Sequence, residues 1–170
     1  MSEAKEEKLD VRKKKKKPRV RSSAKAIILR DGSLLAQRCD FGDGIVCYLL
    51  PGGGQKFGES LHDALRREVL EETGAEIEIG PLVWIRDYIG RNHEFAEEDP
   101  DTHQVSHYFL CELVSGPDGA RASNPDSVQV GLNWIPLTEI RSANLYPKAL
   151  KARFSADGWI EGEVYAGDVN

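Results

Sequence analysis

Three glutamates, Glu68, Glu71 and Glu72, stand at i, i+3 and i+4 in a stretch that reads as a helix over residues 60–73. At about 100° per residue, Leu61, Ala64 and Leu65 share the side that should face a core, and the same stripe continues through the three carboxylates. Anions packed there without partners repel one another and lose their hydration at a cost of roughly several kcal/mol each. Arg67 is expected to serve one of them, not three. A divalent cation is the economical partner, because Mg²⁺ and Mn²⁺ prefer carboxylate oxygens and keep waters that can react. The alternative is a rotated helix whose glutamates are solvated.

The segment before the helix favours the ion. Pro51-Gly52-Gly53-Gly54 follows an apolar run, Ile45–Leu50, and leads by a short loop into the carboxylates. Glycines let backbone groups approach a ligand closely. The loop lacks the Lys-Ser/Thr ending of a nucleotide-triphosphate phosphate loop, and no G-x-G-x-x-G opens the helix, so ATPase and dinucleotide-binding readings lose support.

The elements that must position this chemistry can be placed from local signals. Ala26–Leu29 and Leu34–Ala36, joined by Asp31-Gly32, predict a hairpin. Ile45–Leu50 predicts a strand buried on both faces. Ser60 with Asp63 three residues on is a capping-box spacing, and Gly74 stands where a helix ends. Further strands are expected at 75–79, 82–89, 104–114 and 128–135, with short helices near 137–142 and 147–154 and a weak strand near 159–165. Interspersed strands and helices make the class α/β.

With 170 residues the chain is long enough for one domain with a substantial core. The net charge of −5 conceals a split: residues 1–23 carry ten Lys/Arg against four Asp/Glu, leaving the remainder strongly acidic. The head, with Arg12, Lys13–Lys17, Arg19 and Arg21, has little to bury and is expected to be disordered over 1–22, with a domain over 23–156 and a C-terminal strand or tail over 157–170. Lys13–Lys17 suits a nuclear-import signal, a nucleic-acid contact or a solvated tail. No apolar run approaches the roughly 20 residues of a membrane span, so no membrane partner is expected. The odd set Cys39, Cys47 and Cys111 predicts reduced thiols and a cytoplasmic compartment, nuclear if the head is an import signal.

Gly53, Glu59 and the run Arg67-Glu68-Val69-Leu70-Glu71-Glu72-Thr73-Gly74-Ala75 are spaced as G-x5-E-x7-R-E-U-x-E-E-x-G-U, U being aliphatic. This resembles the signature box of Nudix (MutT-type) hydrolases; Ala75, where a larger aliphatic residue is usual, is the one departure. Leu50-Pro51-Gly52-Gly53-Gly54 and Trp134-Ile135-Pro136-Leu137 also look like the family, so the likeness covers about Ser22 to Phe154. It implies a mixed β-sheet sandwiched between helices (α/β/α). It also implies a pyrophosphohydrolase that uses Mg²⁺ or Mn²⁺ to cleave the diphosphate linkage of a nucleoside diphosphate derivative, such as ADP-ribose, a dinucleotide or a modified nucleoside triphosphate. Carried over, Glu71 and Glu72 are metal ligands, Glu68 a ligand or the base that activates water, and a Gly52 or Gly53 carbonyl part of the metal shell. Gly52 and Gly54 would meet substrate, and Glu59 and Arg67 would pair structurally.

Outside the box, Arg91–His103 forms a long acidic loop, and the resemblance makes Glu97 or Glu98, with Glu98 preferred, a candidate for an extra ligand or general base. Arg86 and Arg91 are candidate phosphate contacts. His103 and His107 fall on a strand too far apart for one zinc ion, and Trp84, Tyr88, Phe95, Tyr108 and Trp134 are either core or base-stacking residues. Two other functions remain open: hydrolysis at RNA 5′ ends guided by the basic head, and nucleotide sensing without catalysis. A monomer and a homodimer are both compatible with the sequence.

Overall fold

The computed structural model describes residues 19–42, 44–117 and 127–170. Most of the basic head, Lys13–Lys17 included, therefore lies outside the described residues. Ten strands are described: β1 (Arg21–Arg30), β2 (Ser33–Asp40), β3 (Val46–Leu49), β4 (Glu76–Ile89), β5 (His103–Ser115), β6 (Gln129–Pro136), β7 (Leu145–Tyr146), β8 (Phe154–Ser155), β9 (Gly158–Trp159) and β10 (Tyr165–Asp168). One α-helix, α1 (Leu61–Thr73), accompanies them, with 3-10 turns at Gly90–Asn92, Leu137–Glu139 and Lys148–Arg153.

Eight strands make one mixed sheet in the order β10-β4-β5-β1-β2-β3-β7, with β6 paired to β2. At its centre β1 runs parallel to β5, from Arg21 opposite Gln104 to Ile28 opposite Cys111. That ladder extends β1 to Arg21, three residues ahead of Ala24. The predicted hairpin forms, with Asp31 and Gly32 at φ 49° and 69° supplying the tight turn between β1 and β2.

β1 and β2 are buried on both faces, which divides the core in two. On one face Ile27, Leu34 and Ala36 pack with Leu137, Ile140, Leu150 and Phe154 from the 3-10 region. On the other Ala24, Ala26, Ile28 and Leu35 pack against Leu65 and Val69 of α1. Complete burial of those last two side chains contributes on the order of 1.5–3 kcal/mol each.

α1 occupies the predicted interval. Ser60 Oγ accepts from the Asp63 N–H while the Asp63 carboxylate accepts from the Ser60 N–H, and Gly74 closes the helix in the left-handed conformation at φ 71°. Elsewhere the structure corrects the sequence reading. The expected helices at 137–142 and 147–154 are 3-10 turns, since each sits between prolines or short strands that leave no room for repeated α-turns. β3 is shorter than Ile45–Leu50 and only partly covered: Ile45 is 62% exposed. The strands expected at 75–79 and 82–89 are one strand, β4, which passes Gly80-Pro81 by register shifts against β5. The C-terminal strand lies at Tyr165–Asp168, parallel to β4, rather than at 159–165. No helix among the described residues is long and apolar enough to cross a membrane.

Candidate active site

β3 delivers the chain to Leu50-Pro51 and into the glycine loop, which lies alongside β1. The Pro51 carbonyl accepts from the Ala26 N–H (2.9 Å) and the Gly53 carbonyl from the Ala24 N–H (3.0 Å). Between them Gly52 takes φ 119°. This conformation, open to glycine, turns the Gly52 carbonyl off the ladder, where it accepts from Lys25 Nζ. Its N–H donates to Glu72 Oε2 at 2.8 Å. Of the two glycine carbonyls proposed as a metal ligand from sequence, that of Gly53 is engaged by the Ala24 N–H of β1 and that of Gly52 by the Lys25 side chain, and both glycines line the cleft described next.

The cleft has a volume of about 870 Å³ and is open at the surface. Gly52, Gly53, Gly54, Glu59, Glu68 and Glu72 line it together with Arg19, Arg21, Lys25, Lys56 and Gln104. Glu72 is buried at 3% exposure, with Gly52 N–H among its partners. Glu68 presses against Gly53, where a Cβ would lie 2.6 Å from its carboxylate. Only glycine therefore fits opposite Glu68 in this arrangement. Glu71 stands to the side of the cleft lining, with its side chain 31% exposed.

Arg67 does more than its sequence position suggests. Its Nε and Nη2 meet the two oxygens of Glu59 at 2.7 and 2.9 Å, its Nη1 meets Glu68 Oε1 at 2.5 Å, and Glu71 Oε2 lies 3.5 Å away. Nη2 also donates to the Gly54 carbonyl at 3.2 Å. One guanidinium thus reaches Glu59 and two of the helix triplet, Glu68 closely and Glu71 at 3.5 Å, where one of the triplet was expected, because its planar fork offers donors in several directions. The Arg67 hydrogen bonds, with the Lys56 backbone N–H, hold the Glu59 carboxyl down at about 2. Glu59 in return raises the Arg67 pKa, and the pair pins the loop 54–59 to α1.

Among the described residues no three His, Cys, Asp or Glu side chains are gathered so as to hold a metal by themselves. The oxygen donors nevertheless suit a hard cation. Glu68 and Glu72 line one cleft, and the Gly52 carbonyl, which now accepts from Lys25, is a third, neutral oxygen in the same lining.

The other residues proposed from sequence lie away from this cleft. Arg86 donates to the Val169 carbonyl at 2.6 Å and to Asn170 Oδ1 at 3.1 Å, tying β4 to the C-terminus. Arg91, Glu97 and Glu98 are exposed on the loop after β4 and do not line it. His103 bonds Asp87 and His107 bonds the Ser23 carbonyl. Trp84 and Tyr108 are core residues, 3% and 2% exposed, stacked on each other at a tilt. Sequence reasoning missed Lys25, Arg19 and Arg21. The signal for Lys25 was present: a lysine interrupts the apolar run Ala24–Leu29 in the middle of a central strand, where only a partner justifies it.

The sequence model of the NUDIX domain matches residues 19–156. An ADP-ribose pyrophosphatase of Methanocaldococcus jannaschii is 28% identical over 90 residues, 53% of this chain; the match spans only about half, 49%, of that relative's length. A MutT NUDIX hydrolase from Burkholderia pseudomallei superposes with a TM-score of 0.57 at 27% identity, over 71% of this chain and 85% of that one. A NUDIX hydrolase from Nitrosomonas europaea gives a TM-score of 0.60 at 25% identity, over 74% and 78% of the two chains.

Proposed function

The chain belongs to the NUDIX family, and from that premise we propose that it is a divalent-metal-dependent pyrophosphohydrolase acting on a nucleoside diphosphate derivative. The observation that carries this reading is a cleft lined by both signs of charge. Glu68 and Glu72 of α1 and the Gly52 backbone line it together with Arg19, Arg21, Lys25 and Lys56.

Glu68, Glu71, Glu72 and the Gly52 carbonyl would hold Mg²⁺ or Mn²⁺. The bound ion would neutralise phosphate oxygens and lower the pKa of a water. The residues of the chain divide the remaining work. Lysine and arginine side chains on the wall grip the outer phosphate oxygens and orient the diphosphate. Arg67 fixes Glu68 from one side while Gly53 leaves it room on the other. Glu68 Oε2, not engaged by Arg67 in the contacts above, would take a proton from the attacking water. Glu98, the sequence candidate for that role, sits on an exposed loop outside the cleft lining, so Glu68 is preferred. ADP-ribose is the first substrate to try, given the M. jannaschii relative.

One observation favours a second reading, hydrolysis at RNA 5′ ends. Arg19 and Arg21 line the cleft, so the basic run that precedes them in sequence joins the chain at the cleft itself. A single panel tests both: ADP-ribose, a dinucleotide, an oxidised nucleoside triphosphate and 5′-triphosphorylated RNA, each with Mg²⁺, Mn²⁺ or EDTA, at low and high salt. Metal-dependent release of a nucleoside monophosphate from a small substrate supports the first reading. RNA turnover that falls steeply with salt supports the second. No hydrolysis of any substrate with either metal would leave nucleotide sensing without catalysis as the surviving alternative.

A further inference from the structure

The register of β2 against β3 places Cys39 directly opposite Cys47. Opposed residues in an antiparallel pair project from the same face of the sheet. The class of this pair follows from the outer neighbours. The Asp40 N–H donates to the Val128 carbonyl and the Tyr48 N–H to the Asn144 carbonyl, so both point away from the β2–β3 seam. Alternation along the ladder then makes Cys39–Cys47 a hydrogen-bonded pair, with Cα atoms about 5.5 Å apart. That separation lies within the roughly 4.4–6.8 Å a disulfide spans. Both residues are buried, at 1% and 7% exposure, and no disulfide joins them.

We propose that Cys39 and Cys47 are a cross-strand redox pair that closes to a disulfide when a peroxide reaches the sheet. One thiolate attacks a peroxide oxygen, the O–O bond breaks, and a sulfenic acid and water result. The second thiol attacks that sulfur, the S–S bond forms, the S–O bond breaks, and a second water leaves. The thiols give up two electrons and two protons, which the peroxide takes.

Closure pulls on both walls of the cleft. Three residues beyond Cys47 the chain reaches Leu50 and then the Gly52 turn. Opposite Cys39 on β6, Gln129 donates to the Glu72 carbonyl at 2.9 Å, at the end of the carboxylate helix. Opposed Cβ atoms in a hydrogen-bonded pair sit near 5.5 Å and must close to about 3.8 Å, so the bond is strained and readily reduced again. Cys111 differs in placement: it lies on β5 with Ile28 and Ile79 opposite and no cysteine beside it in the ladder.

The test uses the full chain, treated with graded hydrogen peroxide, then denatured, alkylated with N-ethylmaleimide and weighed intact. The reduced protein takes three adducts, one per thiol. After oxidation the count should drop by two together, a Cys39–Cys47 peptide should appear, the remaining adduct should map to Cys111, and dithiothreitol should restore all three. Cys111→Ser should form the same bridge, and turnover should fall and recover with it. Three adducts persisting when free glutathione is fully oxidised, a sulfinic acid at one cysteine without a bridge, or a bridge between chains would each overturn the proposal.

Discussion

Gly52 and Gly53 are neighbours, yet replacing each by alanine should damage different properties. At Gly52 the backbone holds φ 119°, where a side chain costs on the order of 1–3 kcal/mol. A Cβ there would also lie 2.2 Å from the Ala24 carbonyl oxygen and 3.0 Å from Lys25 Cα, both backbone atoms of the central strand. Overpacking against atoms that cannot turn aside typically adds roughly 1–3 kcal/mol. In a domain of this size each kcal/mol lowers the melting midpoint by about 2–4 °C, so Gly52→Ala should lose on the order of 10 °C. At Gly53 the Cβ would meet the Glu68 carboxylate, 2.6–2.9 Å away, the far end of a flexible side chain. Rotating it away costs roughly 1 kcal/mol, so the midpoint should move by only a few degrees. The displaced carboxylate is in the site, and a misplacement of about 1 Å costs on the order of 100-fold in turnover. Thermal melts by circular dichroism and steady-state turnover on the same two variants separate the effects. If Gly53→Ala melted as low as Gly52→Ala, or kept wild-type turnover, the assigned packing of the loop would be refuted.

Other consequences are equally direct. Lys25→Met removes a cation from the cleft wall along with its hydrogen bonds to the Gly52 and Leu50 carbonyls, and loss of its charge toward phosphate should raise KM on the order of tenfold, more than it lowers the melting midpoint, as steady-state kinetics beside thermal melts will show. Deleting residues 1–18, ahead of β1, should leave both the melting midpoint and small-substrate turnover unchanged; a large fall in either would mean that the head completes the domain or its site. Asp87 is held below its ordinary value of 3.8 by hydrogen bonds from Tyr165 and His103; Asp168, though pushed up by partial burial, is held below 3.8 by Asn92, His93 and the Ile89 N–H. Their stabilising contribution is complete above the unfolded value and is lost as pH falls through the lower folded values, so Asp168→Asn should flatten the pH dependence of stability below about pH 4 in acid melts.

The parts of this fold legible in the sequence are those specified by local chemistry. The helix could be placed because Ser60, Asp63 and Gly74 act within a turn or two of one another, and the hairpin because Asp31-Gly32 carries its own backbone preference. The parts that were not legible depend on distant partners. β7 is two residues long and exists only because Tyr48 and Leu49 offer it an edge. The segments at 137–142 and 147–154 have helical composition, but packing onto the sheet leaves each a single tight turn or two. In the site, the spacing of the glutamates and glycines was evident. Which partner each carbonyl of the glycine loop takes depends on β1, whose N–H groups engage those of Pro51 and Gly53 while its Lys25 engages that of Gly52, a pairing no local pattern encodes. The contact of Arg67 with Glu59 as well as Glu68 likewise depends on the loop 54–59 folding back onto α1.

The central claim is that the carboxylate face of α1 holds a divalent ion that the hydrolysis requires. Its most direct test is the turnover of Glu72→Gln against Mn²⁺ concentration, with Glu71→Gln beside it. Glutamine keeps an oxygen to accept the Gly52 N–H, now bonded at 2.8 Å, and keeps the helical preference, while removing the charge. Each variant should melt near the wild type and turn over slower by orders of magnitude at low Mn²⁺, with part of the Glu72→Gln loss recovered as the metal rises. Near wild-type turnover at low Mn²⁺ in either variant would contradict the claim.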